Sequence, residues 1–472
     1  MSTHQPTPTI LLPDLPPKTL VGIDLITFTS TANFHGIRDL SPGWHFLYTG
    51  ATETLSLRSG AWFYIGDIST AGKGHNDTAL VAHSRTNPQS QNTPAPEIYI
   101  WKWCTNTETL VALHGDSDSA RQETMRYKAN LGSVWQSGGL FKYRSRIAPS
   151  MLVKPVSESE TGEKTDEDQD QVQPGPQIEA RVQTEDDGQN EESGRRDWSG
   201  LTDRISPNLL SRVIGDPEVD VDGHPRWVLS SASTADRDAD HIPGVDSPAE
   251  IAELGIREEA ERDFGFIPID LKRTWREGAV GRERTEAAQD RSWALGELID
   301  RYAGEASGRN DLLGELQFTF LMVLTMMNYS CLQQWKRLLG LILTSRRAIL
   351  DREEFMTEVL RILSLQLQRC DDVEGGLFEI DGDQGGAFLC NLLTKLRQSV
   401  DDLVGDAESS VKSELDKLEE WVEIEYDWEL RRGAVVRQGM LQLEDGEQVE
   451  MDWDGNDEED ETGEYAPLVV ET

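Results

Sequence analysis

Between Leu20 and about Tyr143 the apolar and aromatic residues come in short bursts, VGIDLITF, GWHFLYTG, AWFYIGD and EIYIWKWC, separated by Gly, Pro, Ser, Asn and Thr. That pattern predicts several short antiparallel strands. Ser41-Pro42-Gly43 predicts a type II turn, with proline presetting φ at the second position and glycine accepting φ > 0 at the third. Glu123 to Tyr143 predicts a helix leaving this β-rich region.

From about Ser292 the spacing changes. Leu312, Leu316, Phe320, Val323, Leu324 and Met327 recur at three and four residues, as do Cys331, Leu332, Trp335, Leu338, Leu339 and Ile342. The same period returns in Phe355, Val359, Ile362 and Leu363, then in Phe388, Leu389, Leu392, Leu393 and Leu396, and in Val411, Leu415 and Leu418. These stripes predict a helical bundle or stack, with Asn310 or Asp311 capping its first long helix. The oiliest stretch, Phe320 to Leu343, is broken by Asn328, Gln333, Gln334, Lys336 and Arg337. A bilayer span needs about 20 apolar residues in a row, so a core helix pair is expected and no membrane contact. The pair resembles one unit of a helical repeat, but no second copy stands at a fixed period.

Composition then sets the boundaries. The fold class expected is α+β in two domains, a β-rich domain over 20–150 followed by an all-α helical domain over 276–437. A connecting region, partly helical through ISPNLLSRVIG, fills 198–275. Residues 1–19 are expected to be disordered. Residues 151–197 carry a heavy acidic load and no aromatic residue, which predicts a disordered acidic linker. Residues 438–472 are expected to form a disordered acidic tail ending in a strand, with no basic residue beyond Arg437.

The formal charge of −40 over 472 residues argues against direct nucleic-acid binding, which relies on Lys and Arg displacing counterions from phosphates. A protein partner with a basic face suits an acidic surface better. Cys104, Cys331, Cys370 and Cys390 form no C-x-x-C pair and are expected to be reduced core residues of an intracellular protein. The N-terminus has no cationic stretch followed by a long apolar run, so no signal peptide is expected.

Catalytic constellations are missing at the level of motif. The eight histidines form no H-E-x-x-H, and Gly72-Lys73-Gly74 does not fit the phosphate-loop spacing. Asp381, Asp383 and Gly386 begin like a calcium loop, yet its twelfth position is Leu392. Neither metal nor cofactor is expected. His45 is expected on one face of a sheet rather than as a base. In Trp335-Lys336-Arg337-Leu338-Leu339, the apolar residues are expected to face the core and Lys336 and Arg337 to be solvated, with a docking surface built on the two cations as the alternative.

Three stretches resemble the a1-cistron splicing factor family. They are Gly22-Ile23-Asp24 with Pro42-Gly43-Trp44-His45-Phe46-Leu47, then Leu313-Gly314-Glu315-Leu316-Gln317-Phe318 with Trp335-Lys336-Arg337-Leu338-Leu339, and the closing Ala466-Pro467-Leu468-Val469-Val470-Glu471. The resemblance implies a β-sandwich-like domain followed by a helical domain. It further implies a non-enzymatic splicing assembly chaperone, nuclear and cytoplasmic, monomeric before it joins its partner. That partner is the large scaffold protein of the U5 small nuclear ribonucleoprotein, held through its RNase H-like and Jab1/MPN-like domains while the spliceosomal helicase is kept off. The competing reading is a hydrolase or transferase with a site in the β-rich domain, for which His45 and Asp24 are the residues to test.

The tail carries the expected partner contact. Tyr465, Ala466, Pro467, Leu468, Val469, Val470 and Glu471 follow an acidic run and have the side chains of a strand. An isolated strand is unstable, so it needs a sheet edge, and Pro467, which lacks an N–H, suits an edge.

Overall fold

The computed structural model describes residues 7–51, 57–68, 97–113, 117–145, 185–235, 264–301, 305–370, 385–405, 407–431, 438–442 and 448–452. Two sheets lie face to face. One has the strands β1 (Thr9–Leu11), β4 (Gly36–Arg38), β7 (Ile98–Cys104), β8 (Thr109–Ala112) and β9 (Leu140–Lys142), in the order β8-β7-β1-β4-β9. The other orders β10 (Glu218–Val219), β11 (Pro225–Ser230), β6 (Arg58–Ile65), β5 (Gly43–Gly50), β2 (Leu20–Ile23) and β3 (Ile26–Thr29) as β10-β11-β6-β5-β2-β3. Ile10, Ile37, Tyr99 and Trp101 from the first sheet meet Val21, Leu47, Ala61 and Phe63 from the second in one apolar core. This is the sandwich-like, β-rich N-terminal half that the residues and the resemblance imply.

Helices cover both outer faces. The helix α1 (Asp118–Gln136) starts at Ser117, whose side chain accepts from the Ser119 and Ala120 N–H groups, and its Leu131 joins Leu11, Ile100 and Leu140 on the first sheet. It begins and ends earlier than the predicted Glu123–Tyr143 helix, because Gly138 at φ 72° stops it and the chain re-enters the sheet as β9. The second sheet is covered by the helical domain. Ahead of that domain come α2 (Glu185–Thr202) and α3 (Pro207–Val213). The domain itself runs from α4 (Arg282–Gln289) and α5 (Ser292–Arg301) through α6 (Glu305–Met326), α7 (Tyr329–Ile342), α8 (Ala348–Asp351) and α9 (Glu353–Gln368). It closes with α10 (Gly385–Leu403) and α11 (Ser410–Tyr426). No described helix is long and apolar enough to cross a membrane.

The face of the second sheet turned to the helices explains why the strand bursts do not alternate with polar residues. Along β5, Trp44, Phe46 and Tyr48 enter the same core as the helical domain, while Leu47 enters the sandwich. A strand buried on both faces reads as a continuous apolar run.

Four expectations are corrected. Residues 1–19 are not wholly disordered: β1 is the central strand of its sheet, pairing with β4 and β7, and Ile10 is fully buried. The linker assigned to 151–197 ends in helix α2, and Trp198 buries that helix against the second sheet. The connecting region 198–275 supplies β10 and β11, so the sheet begun at Leu20 is completed by residues near 230. The acidic tail contains a hairpin, β12 (Gln438–Gln442) paired with β13 (Gln448–Asp452). A fifth point is smaller: α6 begins at Glu305, so Asn310 and Asp311 lie inside it and do not cap it.

Candidate functional site

The motif residues converge on two buried polar clusters and on the seam between sheet and helices. In the first cluster, Asp24 sits at φ 57° in the turn joining β2 to β3. Its Oδ2 lies 2.8 Å from His45 Nδ1 and accepts from the Tyr143 hydroxyl at 2.5 Å, and its Oδ1 accepts from the Phe46 N–H at 2.9 Å. His45 Nε2 faces the Ser41 carbonyl at 2.7 Å. Both ring nitrogens therefore point at acceptors. Burial favours the neutral ring, but the Asp24 charge and these hydrogen bonds outweigh it and raise the His45 pKa. Tyr143 is pushed well above its ordinary value by burial and by Asp24.

That arrangement holds a proton but offers it to nothing. His45 is 0% and Asp24 2% exposed, and the gap beside Asp24, walled by Ser145, Trp198 and Arg369, is about 10 Å³. One water would fill it. The cluster's role is to tie a hairpin turn, β5 and the end of β9 together. His45 is the sheet residue expected, and the residues named for a hydrolase or transferase have no room for a substrate.

The second cluster is built on α6. Glu315, fully buried, accepts from Arg212 Nη1 at 2.7 Å, from Gln334 Nε2 at 2.8 Å and from the Ile267 N–H at 3.0 Å. Burial raises its pKa, partly offset by Arg212 and the hydrogen bonds. Two residues on, Gln317 accepts from the Arg204 N–H at 3.0 Å and donates to the Gly200 carbonyl and to Asp203 at 2.8 and 2.7 Å. Just before Glu315, Gly314 lets the chain come so close that a Cβ would stand 2.5 Å from the Arg204 carbonyl oxygen. The stretch Leu313–Phe318 thus fastens residues 200–212 and 267 onto α6.

At the seam, Trp44 donates its indole N–H to the Ile205 carbonyl, and Trp198 donates to the Trp44 carbonyl, at 2.8 and 2.7 Å. Trp62 stacks on Trp198 with centroids 6.1 Å apart, and Arg58 donates to the Thr325 carbonyl at 2.7 Å. Gly22 is required by the opposing ring: a Cβ there would lie 2.0 Å from Tyr48 Cζ.

Lys336 and Arg337 are corrected. They are 8% and 5% exposed rather than solvated, and Lys336 Nζ lies 5.3 Å from the Phe388 ring centroid. Trp335 does face the core, donating to Gln366 at 3.2 Å. Neither cation presents the docking surface that was the alternative. The strand Tyr465–Glu471 lies outside the described residues, as do Gly72-Lys73-Gly74, Asp381 and Asp383. Among the described residues one group has metal-ligand spacing, Asp220, Asp222 and His224, but Asp222 is held by Lys128 at 2.8 Å and His224 by Asp220 at 3.1 Å.

Reading the sequence missed Glu315, Gln317, Gln334 and Tyr143. Glu315 and Gln317 had a signal: two polar residues inside an otherwise apolar run must be buried and satisfied if the run is a core helix.

The chain is similar to known proteins along most of its length. A family model described as the AAR2 N-terminal domain matches residues 6–215, and one described as the AAR2 C-terminal repeat region matches residues 266–431. The second description names a repeat that no fixed period in the sequence reveals. Curated relatives called Protein AAR2 homolog include those of Homo sapiens and Pongo abelii, each 28% identical over 179 residues, 36% of this chain and 45% of the relative. That of Oryctolagus cuniculus is 28% identical over 180 residues, 36% of this chain and 52% of the relative. The chain spans about half the length of the curated relatives it matches. With both halves matched in order, and with the motifs quoted from those halves building the joint between them, the chain belongs to the AAR2 family.

Proposed function

We propose that this protein is a pre-mRNA splicing assembly factor. It binds the large scaffold protein of the U5 small nuclear ribonucleoprotein through that protein's RNase H-like and Jab1/MPN-like domains, and delays joining of the helicase. The observation that carries the reading is membership of the family across both halves of the chain. The charge of −40 supports a protein partner with a basic face. The burial of Asp24 and His45 favours a binding role over the hydrolase or transferase reading. The protein works in cytoplasm and nucleus, and is a monomer before it meets the scaffold.

In this reading the strand Tyr465–Glu471 adds to a sheet edge of the scaffold, where main-chain hydrogen bonds give affinity and alternate side chains give selectivity. Mixing the purified full chain with the scaffold's two domains tests it. Co-elution on gel filtration is expected, and deletion of Tyr465 to Thr472 should weaken it with an unchanged melting temperature. Failure of the full chain to co-elute rejects the partner. A lower melting temperature with unchanged binding rejects only the strand's role.

A further inference from the structure

On a chain with 85 acidic and 45 basic residues, an exposed cation that no carboxylate holds is the exception. Lys272, Arg273 and Arg276 are three such cations within five positions, and none has an ion pair among the described residues. Lys18, Lys142 and Arg196 are also exposed and unpaired there, but each stands alone. From Leu271 to Gly281 three cations face one carboxylate, Glu277, so the loop before α4 is a basic island on a protein of charge −40.

The loop is fixed from its inward positions. Leu271 and Thr274 are buried, and the Thr274 hydroxyl donates to the Ala287 carbonyl of α4 at 2.8 Å. The Lys272 N–H donates to Asp270 at 2.9 Å and the Ala279 N–H to the Arg276 carbonyl at 3.0 Å, which places a turn on either side of Trp275. Arg284 lies over the half-buried Trp275 ring, 5.6 Å from its centroid, and donates from Nε to the Ala279 carbonyl at 2.6 Å. Arg273 and Arg276 are left exposed and Lys272 half-buried, with Val280, 68% exposed, close behind them in sequence. The backbone needs little ordering when a ligand arrives.

We propose that this loop is a docking site for a short Asp/Glu-rich segment of another protein, its carboxylates on Lys272, Arg273 and Arg276 and an apolar residue against Val280. Charge complementarity selects the ligand's sign, and the surroundings limit its length. The four steps from Lys272 to Arg276 reach at most about 14 Å, and beyond a screening length of about 8 Å the patch gives way to a surface of the opposite sign. A long polyanion such as RNA would run into that surface. It would also find the loop's one aromatic ring already covered by Arg284, with no free platform for stacking bases. The site suits a partner segment opposite in charge to the basic face that the rest of the protein favours, and it does not rest on the scaffold reading.

Binding of a fluorescein-labelled Glu-Asp-Glu-Leu-Asp-Glu peptide to the full chain, followed by fluorescence anisotropy at low salt, tests it. The Lys272→Glu/Arg273→Glu/Arg276→Glu variant is expected to bind about tenfold more weakly, the scale of three exposed ion pairs. Lys18→Glu/Lys142→Glu/Arg196→Glu makes the same change in net charge and should weaken binding less than twofold. Should the first variant lose its thermal transition, Lys272→Gln/Arg273→Gln/Arg276→Gln takes its place. No binding by the unaltered chain, or equal weakening by the two triple variants, overturns the site. Tighter binding of a ten-nucleotide oligouridylate, lost in the first variant alone, overturns the peptide ligand and assigns the loop to RNA.

Discussion

The cluster around Asp24 and the cluster around Glu315 are both buried, both charged and both built from the motifs that mark the family, yet they are held differently. Asp24, His45 and Tyr143 belong to one sandwich and are closed off completely. Glu315 reaches from α6 to a connecting segment, and its partner Arg212 keeps about a quarter of its side chain in water. In the first, carboxylate and imidazole match each other's charge inside the protein. In the second, a carboxylate is buried at a cost that Arg212 only partly returns. The first therefore fixes a fold, whereas the second fastens one part of the fold to another.

The sharpest way to break that contrast is Asp24→Ala. It leaves the His45 ring and the Tyr143 hydroxyl buried without their acceptor, and should cost roughly 3 to 5 kcal/mol in urea unfolding. A loss below about 1 kcal/mol would mean the cluster holds nothing. Glu315→Ala should cost less, roughly 2 to 3 kcal/mol, because Arg212 can turn to solvent while the Ile267 N–H and Gln334 cannot. Amide exchange should then speed up near Ile267 and stay slow in β5 and β6; equal loss at both places would erase the distinction.

Tyr143→Phe removes a single hydrogen bond to a carboxylate and should cost roughly 1.5 to 2 kcal/mol. The smallest effect is on pH dependence. The folded His45 pKa is raised, so its contribution is complete below the unfolded value of about 6.5 and fades as pH rises through the folded value. The melting-temperature difference between the unaltered chain and His45→Gln should thus shrink as pH rises above about 6.5. His224 titrates with the same sign but is present in both proteins and cancels. A constant difference from pH 5.5 to 8.5 would mean that His45 gains no proton on folding.

Local patterns made much of this fold legible and hid the rest for a physical reason. Helical spacing placed α6, α7, α9, α10 and α11 through apolar residues three and four apart, although α6 and α7 are buried on nearly every side. The aromatic bursts revealed β5, β6 and β7. What stayed hidden depended on distant pairing. Thr9–Leu11 is too short to read as a strand, and only its pairing with residues 36–38 and 98–100 makes it central. Helix α2 follows a stretch of polar sequence, and its anchors Trp198 and Leu201 need distant partners, Trp62 opposite Trp198 among them. His45 was legible as a sheet residue, but Tyr143, 119 positions from Asp24, had no local sign of its role. Lys336 and Arg337 misled because their charge suggests water, while the stems of such side chains pack well against apolar surface.

The late position of β11 has a consequence for synthesis. Trp44, Phe46 and Trp62 emerge from the ribosome long before Trp227 extends their sheet and before α6 covers it. At roughly 5 to 20 residues per second, the stretch from Ser231 to Met326 takes about 5 to 20 seconds to translate. Throughout that interval the nascent chain carries a tryptophan-rich face that only α2 and α3 can cover, with α6 still missing. A chain released at Ser231 should bind a hydrophobic dye strongly and recruit a holding chaperone, and one released after Leu430 should do neither.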